Sequence, residues 1–313
     1  LLAARVGCRP VMAVASLLMC VALPLLAVIS APTTLALVLF GFGAAIGGMD
    51  CVMNIQAVVV ERESGRPMMS GFHAYYSIGG LAGASGATAL LSLGLGSIGA
   101  MLAASLVCVL ATLASVRWWR NDRSQRGDSS FRLPHGFVLL VGAVCFVTFL
   151  AEGAMLDWSA VFLHEVRGID VALAGWGFVA FNIAMTVTRL LGDGVVRRLG
   201  PRATVFAGGL LASTGLVVVA WLPAYAAACV GFAMMGMGCA NIVPVMFSAA
   251  GRQTLVPTNV AIATVTTLGY AGVLIGPAAI GAIARHSSLI AAFLVTAASL
   301  AAVAVAGSSI RPR

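Results

Sequence analysis

The sequence contains no lysine. All eighteen of its basic residues are arginine, against ten acidic residues, and charge of either sign occupies only 9% of its 313 positions. A soluble domain of this length must cover its exterior with polar groups, and a chain that is 61% hydrophobic cannot do so. Water is thereby excluded as its main solvent. The basic excess does not point to nucleic acid either, because no basic cluster alternates with aromatics in an otherwise soluble domain. The seven cysteines (Cys8, Cys20, Cys51, Cys108, Cys145, Cys229 and Cys239) are scattered, with no CxxC pair and no Cys/His cluster. Most lie in apolar stretches, where a thiol acts as a small hydrophobe. Neither a disulfide framework nor a zinc site is expected, and no cofactor is implied. There is no signal peptide and no initial Met. LLAARVGCRP reads as the tail of a helix entering a charged turn, so further chain is expected upstream of Leu1.

What the sequence does have is long charge-free runs. No charge falls between Arg9 and Asp50, between Arg66 and Arg117, or between Arg202 and Arg252. Each run is too long for one membrane-spanning helix of about 20 residues and suits two joined by a tight turn. Ser30–Pro32, Gly94–Gly99 and Pro223 mark those turns. The spacing predicts ten transmembrane helices, over 11–30, 33–61, 67–94, 96–116, 136–165, 171–193, 203–222, 225–250, 256–284 and 287–308. Fifteen arginines then fall on one side and two, Arg167 and Arg285, on the other, with Arg189 inside a helix. By the positive-inside rule the rich side is cytoplasmic. Both ends and the 117–135 linker are expected there, in a multi-pass protein of the cell (inner) membrane.

An internal repeat accompanies this pattern. Arg5-Val-Gly-Cys-Arg9 matches Arg198-Leu-Gly-Pro-Arg202 at an offset of 193 residues, and Gly79–Gly83 matches Gly272–Gly276 at the same offset. Two halves in parallel register, joined by a charged linker, are a transporter architecture with its site near the midplane. The division expected is an incomplete four-helix bundle over 1–116, the linker over 117–135, and a six-helix bundle over 136–313. By extension of the repeat, two helices are expected before Leu1.

Arg189-Leu-Leu-Gly-Asp193-Gly-Val-Val-Arg197-Arg198-Leu-Gly-Pro-Arg202 resembles the G-x-x-x-D-R-x-G-R-type loop of the major facilitator superfamily, and Gly272-Val-Leu-Ile-Gly276-Pro277 resembles its glycine–proline helix motif. The segments around Asp50-Cys-Val-Met-Asn54, Phe72-His73-Ala-Tyr-Tyr-Ser77 and Glu152-Gly-Ala-Met-Leu-Asp157-Trp158 are similar to a bacterial branch of fucose permease-like carriers. The resemblance implies an all-α, 6+6 two-bundle fold and a secondary active transporter of a small polar solute, a sugar or polyol, working by alternating access with protons as a candidate co-solute. It implies no enzyme and no catalytic residues. It also makes Arg189, Asp193, Arg197, Arg198 and Arg202 parts of a gating loop. Proton-antiport efflux of drugs or metabolites is the alternative within transport.

A carboxylate at membrane depth costs a few kcal/mol on insertion scales and usually faces a water-filled cavity. Asp50 lies near the middle of its helix, with Asn54 about 40° and Glu61 about 20° from it on the helical wheel. The stripe either walls a cavity that meets solute or proton, or forms a hydrogen-bond cluster between helices. Glu152 and Asp157 differ by about 140° around their helix and roughly 7.5 Å along it, so they cannot point at one spot. Glu152 is the deeper and better desolvated, which suits a proton site. Asp157 with Trp158 can orient a polyol, or lock two helices together. Asn182, Arg189 and Asp193 share a face, and the last two have the i,i+4 spacing of an ion pair. His73 is either a pH-sensitive gate or a helix-end histidine satisfied by a carboxylate. Pro244 and Pro277 are expected to kink their helices. The small-residue pairs Gly43–Gly47, Gly79–Gly83 and Gly272–Gly276 suit close helix contact. Gly83-Ala-Ser85-Gly86 also matches the GxSG of intramembrane serine proteases. That reading needs an activating histidine. His73 lies about 18 Å from Ser85 along one helix, and His135, His164 and His286 sit at helix ends.

Overall fold

Apolar runs punctuated by glycine and proline become helices, and the computed structural model, which describes residues 2–121 and 136–308, contains no other regular element among them. In chain order these are α1 (Leu2–Val6), α2 (Cys8–Val28), α3 (Pro32–Ser64), α4 (Met69–Ser92), α5 (Ser97–Ser115), α6 (Gly136–Val161), α7 (Val171–Ala174), α8 (Trp176–Trp221), α9 (Tyr225–Cys239), α10 (Ile242–Arg252), α11 (Thr258–His286) and α12 (Leu289–Ser308). Most of the expected linker, with Arg123, Arg126, Arg132 and His135, lies outside the described residues, as do Arg311 and Arg313.

Among the described residues, eight helical stretches are long and apolar enough to cross a membrane by length and composition. The longest, Val171–Trp221, holds two of the expected spans. The turn foreseen over 194–202 is mostly helical, and the break is confined to Gly200 at φ 78°. Only glycine takes that left-handed conformation without steric cost. Pro201 follows at the first position of the next helical segment, where its missing N–H is no loss. The glycine-rich α4 carries no charge over 24 residues but is not among the eight.

The proline expectations need one correction. Pro244 does not bend a continuous helix. The stretch 225–252 is interrupted at Ala240–Asn241, and Pro244 sits in the first turn of α10. The reason is steric: a proline ring clashes with the carbonyl four residues earlier, which here belongs to Ala240. Pro277 stays inside α11.

The described residues divide into two compact units. The first holds those up to Val59 and those from Tyr76 to the linker. In it α2 packs on α5, and Cys8, Met12 and Val52 cluster near Trp119. Gln56 Nε2 also donates to the Arg120 carbonyl. The glycine stripes of α3 and α4 do not make the close contacts expected of them. A Cβ added at Gly43, Gly47, Gly79 or Gly83 meets nothing within 4 Å.

The second unit holds Val60–Tyr75, the hairpin between α3 and α4, together with everything from Gly136 onward. Its core is centred on Phe162, Phe232 and Phe293, whose rings stack at 4.6 Å and meet edge-on at 6.4 Å. Here the small-residue reading holds. A Cβ at Gly272 or Gly276 of α11 would collide with the Phe146 or Leu150 carbonyl of α6. At the far end of α6 the helix widens into a π-turn, Phe162–Val166, that positions Arg167. Arg167 Nη2 donates to the Val219 and Ala220 carbonyls, both at 2.8 Å, in the last turn of α8. A cation there satisfies orphan carbonyls and opposes the negative end of the helix dipole. Arg167→Met keeps the bulk and loses both bonds. Thermal unfolding in detergent should show a loss of about 1–3 kcal/mol, with the exposed Arg285→Met close to wild type.

Candidate functional site

The second unit brings together titratable residues from five helices. α8 presents Arg189 and Asp193 one turn apart. Arg189 is buried, with 5% of its surface exposed, and its Nη2 lies 3.6 Å from Glu152 Oε2 on α6. Its Nε donates to the Ala240 carbonyl at 3.2 Å. That carbonyl is the one the Pro244 ring displaces from the helical ladder, so a proline four residues downstream supplies an acceptor for a buried cation. The second carboxylate oxygen of Glu152, Oε1, is buried and accepts no hydrogen bond from the described residues. Removing one partner from such a pair costs about 3–5 kcal/mol, because the other charge stays buried.

Beyond the i,i+4 spacing expected to pair Arg189 with Asp193, the fold gives each of them partners on other helices. Asp193 is directed at the start of α4, where its Oδ1 accepts the Ser70 N–H and its Oδ2 the Gly71 N–H, both at 3.0 Å. Glu61 Oε2 accepts the two amides before them, Met68 at 2.9 Å and Met69 at 3.0 Å. A helix leaves its first four N–H groups without internal partners. At α4 two carboxylates, from α3 and α8, take all four, where the positive end of the helix dipole also favours them. The remaining oxygen of Glu61 meets Arg252 Nη2 at the end of α10, at 3.3 Å. Glycine is required at this approach, since a Cβ on Gly71 would strike Asp193 Oδ2 and one on Gly192 would strike Asn241 and Ser70.

Beside this cluster lies a cavity of about 860 Å³. Glu61, Asp193, Arg197, Arg202 and Arg252 line it, with apolar walls from Met69, Phe137, Met246 and Leu255. Arg198 is exposed on α8 and is not among its lining residues. His73, in the next turn of α4, sets its ring 5.8 Å from that of Phe247 on α10.

The other sequence candidates make contacts of their own. In the first unit Asn54 is buried and donates its amide to the Asp50 carbonyl at 2.9 Å and to Asp50 Oδ1 at 3.2 Å. Asp157 is exposed on α6, away from Glu152, whose side chain is 15% exposed, as a 140° separation requires. Trp158 is half-buried, and its Nε1 donates to the Pro277 carbonyl of α11 at 3.0 Å. The indole therefore fastens two helices. Among the described residues no group of three or more His, Cys, Asp or Glu could hold a metal ion.

Sequence reasoning placed Glu61 at the end of a polar stripe and missed its duty at α4. Helical periodicity reports which residues share a face, not which distant helix end a carboxylate caps. The Glu152–Arg189 pair, joining helices 37 positions apart, was invisible for the same reason.

Comparison with known proteins agrees with this architecture. The profile of the Major Facilitator Superfamily matches residues 1–256. An uncharacterized transporter of that type from Yersinia pestis is 46% identical over 310 residues, covering 99% of this chain and 81% of the relative. An uncharacterized transporter from Sinorhizobium fredii is 33% identical over 294 residues, covering 91% and 78% respectively. Among solved structures, the E. coli fucose:proton symporter superposes with a TM-score of 0.82 at 14% identity, covering 100% of this chain and 86% of that one. A human organic anion transporter gives 0.78 at 14% identity, covering 96% and 77%. These two likenesses speak for the fold alone. The family contains transporters and not enzymes, so the Ser85 protease reading falls. With its family profile, its relatives and its helical architecture in agreement, the chain belongs to the Major Facilitator Superfamily and is a multi-pass secondary transporter of the membrane.

Proposed function

We propose that this carrier moves a small polar solute, a sugar or polyol, together with protons, through rocking of two helix bundles. The observation that carries the reading is Glu152. It is a carboxylate at the depth of a spanning helix, held by one buried arginine, with one oxygen that accepts no hydrogen bond from the described residues. A buried carboxylate that meets only part of its bonding capacity is suited to exchange a proton during transport. The sugar assignment draws on the shared fold of the fucose:proton symporter.

In this reading the chain crosses the membrane ten times. Its linker and arginine-rich turns are cytoplasmic in the inner membrane, and the bundles are 1–116 and 136–313. Asp50, Asn54 and Asp157 serve the solute path, and Trp158 sets the spacing of its helices. The Glu61–Asp193–Arg252 cluster, flanked by Arg197, Arg198 and Arg202, is a cytoplasmic latch. While Asp193 and Glu61 hold the four amides of α4, the hairpin 60–75 is fixed to the carboxy-terminal bundle. When they let go, α3 and α4 can move.

Uptake of labelled sugars and polyols into vesicles holding the purified protein, together with whatever chain its gene places before Leu1, tests the reading. With an inward proton gradient imposed, one solute should accumulate against its own gradient, and a protonophore should collapse the accumulation. Expulsion of preloaded solute driven by incoming protons would favour drug or metabolite efflux instead. No gradient-dependent movement of any solute would sink the proposal.

A further inference from the structure

We propose that Cys20 and Cys108 are an oxidisable thiol pair, which a hydrocarbon-soluble quinone closes into a disulfide joining α2 to α5. Both thiols are reduced in this structure, Cys20 buried and Cys108 exposed. They belong to two long helices that pack on each other in the first unit. The Cys20 thiol is in hydrogen-bond contact with that of Cys108. Each residue lies at least about 10 Å from the nearer end of its helix. Both helices are long and apolar enough to cross a membrane, so the pair sits at hydrocarbon depth.

A cysteine in such a place can serve simply as a small hydrophobe. The internal repeat argues that this seam does not need one. At the offset of 193 residues, Cys20 and Cys108 correspond to Ser213 and Ala301. These lie on α8 and α12, which pack on each other in the second unit. The equivalent seam closes there without sulfur, so packing alone does not call for two thiols in contact. Ser105 adds a second feature. It is buried on α5, three residues before Cys108, and its Oγ has no hydrogen-bond partner among the described residues. Positions three apart are neighbours on a helix surface. A buried hydroxyl is ordinarily satisfied, and this one is available to donate to a sulfur anion as it forms.

Depth decides which reagents reach the pair. The thiols that keep cytosolic proteins reduced work in water, and charged groups enter hydrocarbon at high cost. An oxidant for this site must dissolve in the bilayer and accept two electrons with two protons, as a quinone does. The exposed Cys108 meets the quinone first, and Cys20 behind it attacks the Cys108 sulfur. Both S–H bonds break and one S–S bond forms. The two electrons and two protons pass to the quinone, which leaves as the hydroquinone. The linkage ties α2 to α5 across the long stretch of chain between them.

Oxidation in lipid nanodiscs tests the pair, using the protein with whatever chain its gene places before Leu1. Decylubiquinone is added to the lipid, the protein is denatured and alkylated, and its peptides are mapped by mass spectrometry. The expected product is a peptide cross-linked through Cys20 and Cys108, lighter by about 2 Da than the two reduced peptides together. Oxidised glutathione, which stays in the water, should leave both cysteines open to alkylation. Ser105→Ala should slow the quinone reaction about ten-fold, the size of one hydrogen bond to a charged group. A wild-type protein whose Cys20 and Cys108 are both still alkylated after quinone treatment overturns the proposal. So does a mixture of linkages spread over Cys51, Cys229 and the other thiols. Equally fast closure by oxidised glutathione overturns the hydrocarbon route, and an unslowed Ser105→Ala overturns the part given to the serine. The wild-type results need no substitution, so they stand even if the variant does not fold.

Discussion

Replacing Glu152 by glutamine is expected to abolish uphill accumulation while leaving solute exchange across the membrane intact. Glutamine keeps the size and the polar tip of the side chain but cannot take up or release a proton. Each unit of pH gradient supports about ten-fold accumulation per coupled proton, so an uncoupled variant falls by that factor for every unit imposed. Exchange of labelled for unlabelled solute needs no net proton movement and serves as the internal control. The variant also leaves Arg189 buried beside a neutral group, at a cost of about 3–5 kcal/mol. Thermal unfolding measured alongside transport distinguishes this loss from misfolding. A variant that unfolds loses exchange and accumulation together, and one that is merely uncoupled loses only accumulation.

The second large effect is structural and lies at the contact of α6 with α11. Gly272 faces the Phe146 carbonyl and Gly276 the Leu150 carbonyl, while Gly153 of α6 faces the Val273 backbone. The two helices thus meet backbone to backbone, and no flexible side chain can yield. Gly272→Leu should prevent recovery of a monodisperse, folded chain. Gly272→Ala should be recovered with its stability lowered by about 1–3 kcal/mol, as overpacking of a tight core commonly does. Gly83→Ala, on a face of α4 where an added Cβ meets nothing within 4 Å, should be unchanged or slightly more stable, since alanine is the better helix former. A Gly272→Leu protein as stable as wild type would contradict the packing described for this unit.

These two sites mark where the sequence was legible and where it was not. Gly272 and Gly276 were visible as a close-packing pair because spacing on one helix is a local property. The charge-free runs gave the helices for the same reason, and Gly200 could be placed near a turn, although the structure narrows that turn to one residue. Pro244 was legible as a disturbance but not as a break. Its consequence lies four residues upstream, in the carbonyl of Ala240, which only the fold delivers to Arg189.

Contacts that depend on tertiary arrangement were beyond reach. The i,i+4 rule paired Arg189 with Asp193, yet the folded unit offers Arg189 a carboxylate on α6 and offers Asp193 two helix-end amides. Local spacing allows a pair, and competition with distant partners decides it. Trp158 shows the same limit. Its place beside Asp157 suggested a ring for a polyol, while its indole N–H is engaged by the Pro277 carbonyl. The pairs Gly43–Gly47 and Gly79–Gly83 matched the close-contact pattern as well as the pair of α11 did, but a Cβ added at any of the four meets none of the described residues within 4 Å.

The central claim, that solute and proton move together through Glu152, is tested most directly by recording external pH in a lightly buffered suspension of cells expressing the protein. Sugars, polyols, sugar acids and amino acids are added in turn, with vector-only cells alongside. The expected result is alkalinisation of the medium on adding one solute of the sugar or polyol class, absent from the vector control and absent from Glu152→Gln. Uptake of a labelled solute by the same cells with no accompanying pH change, or with an equal change in Glu152→Gln, would contradict it.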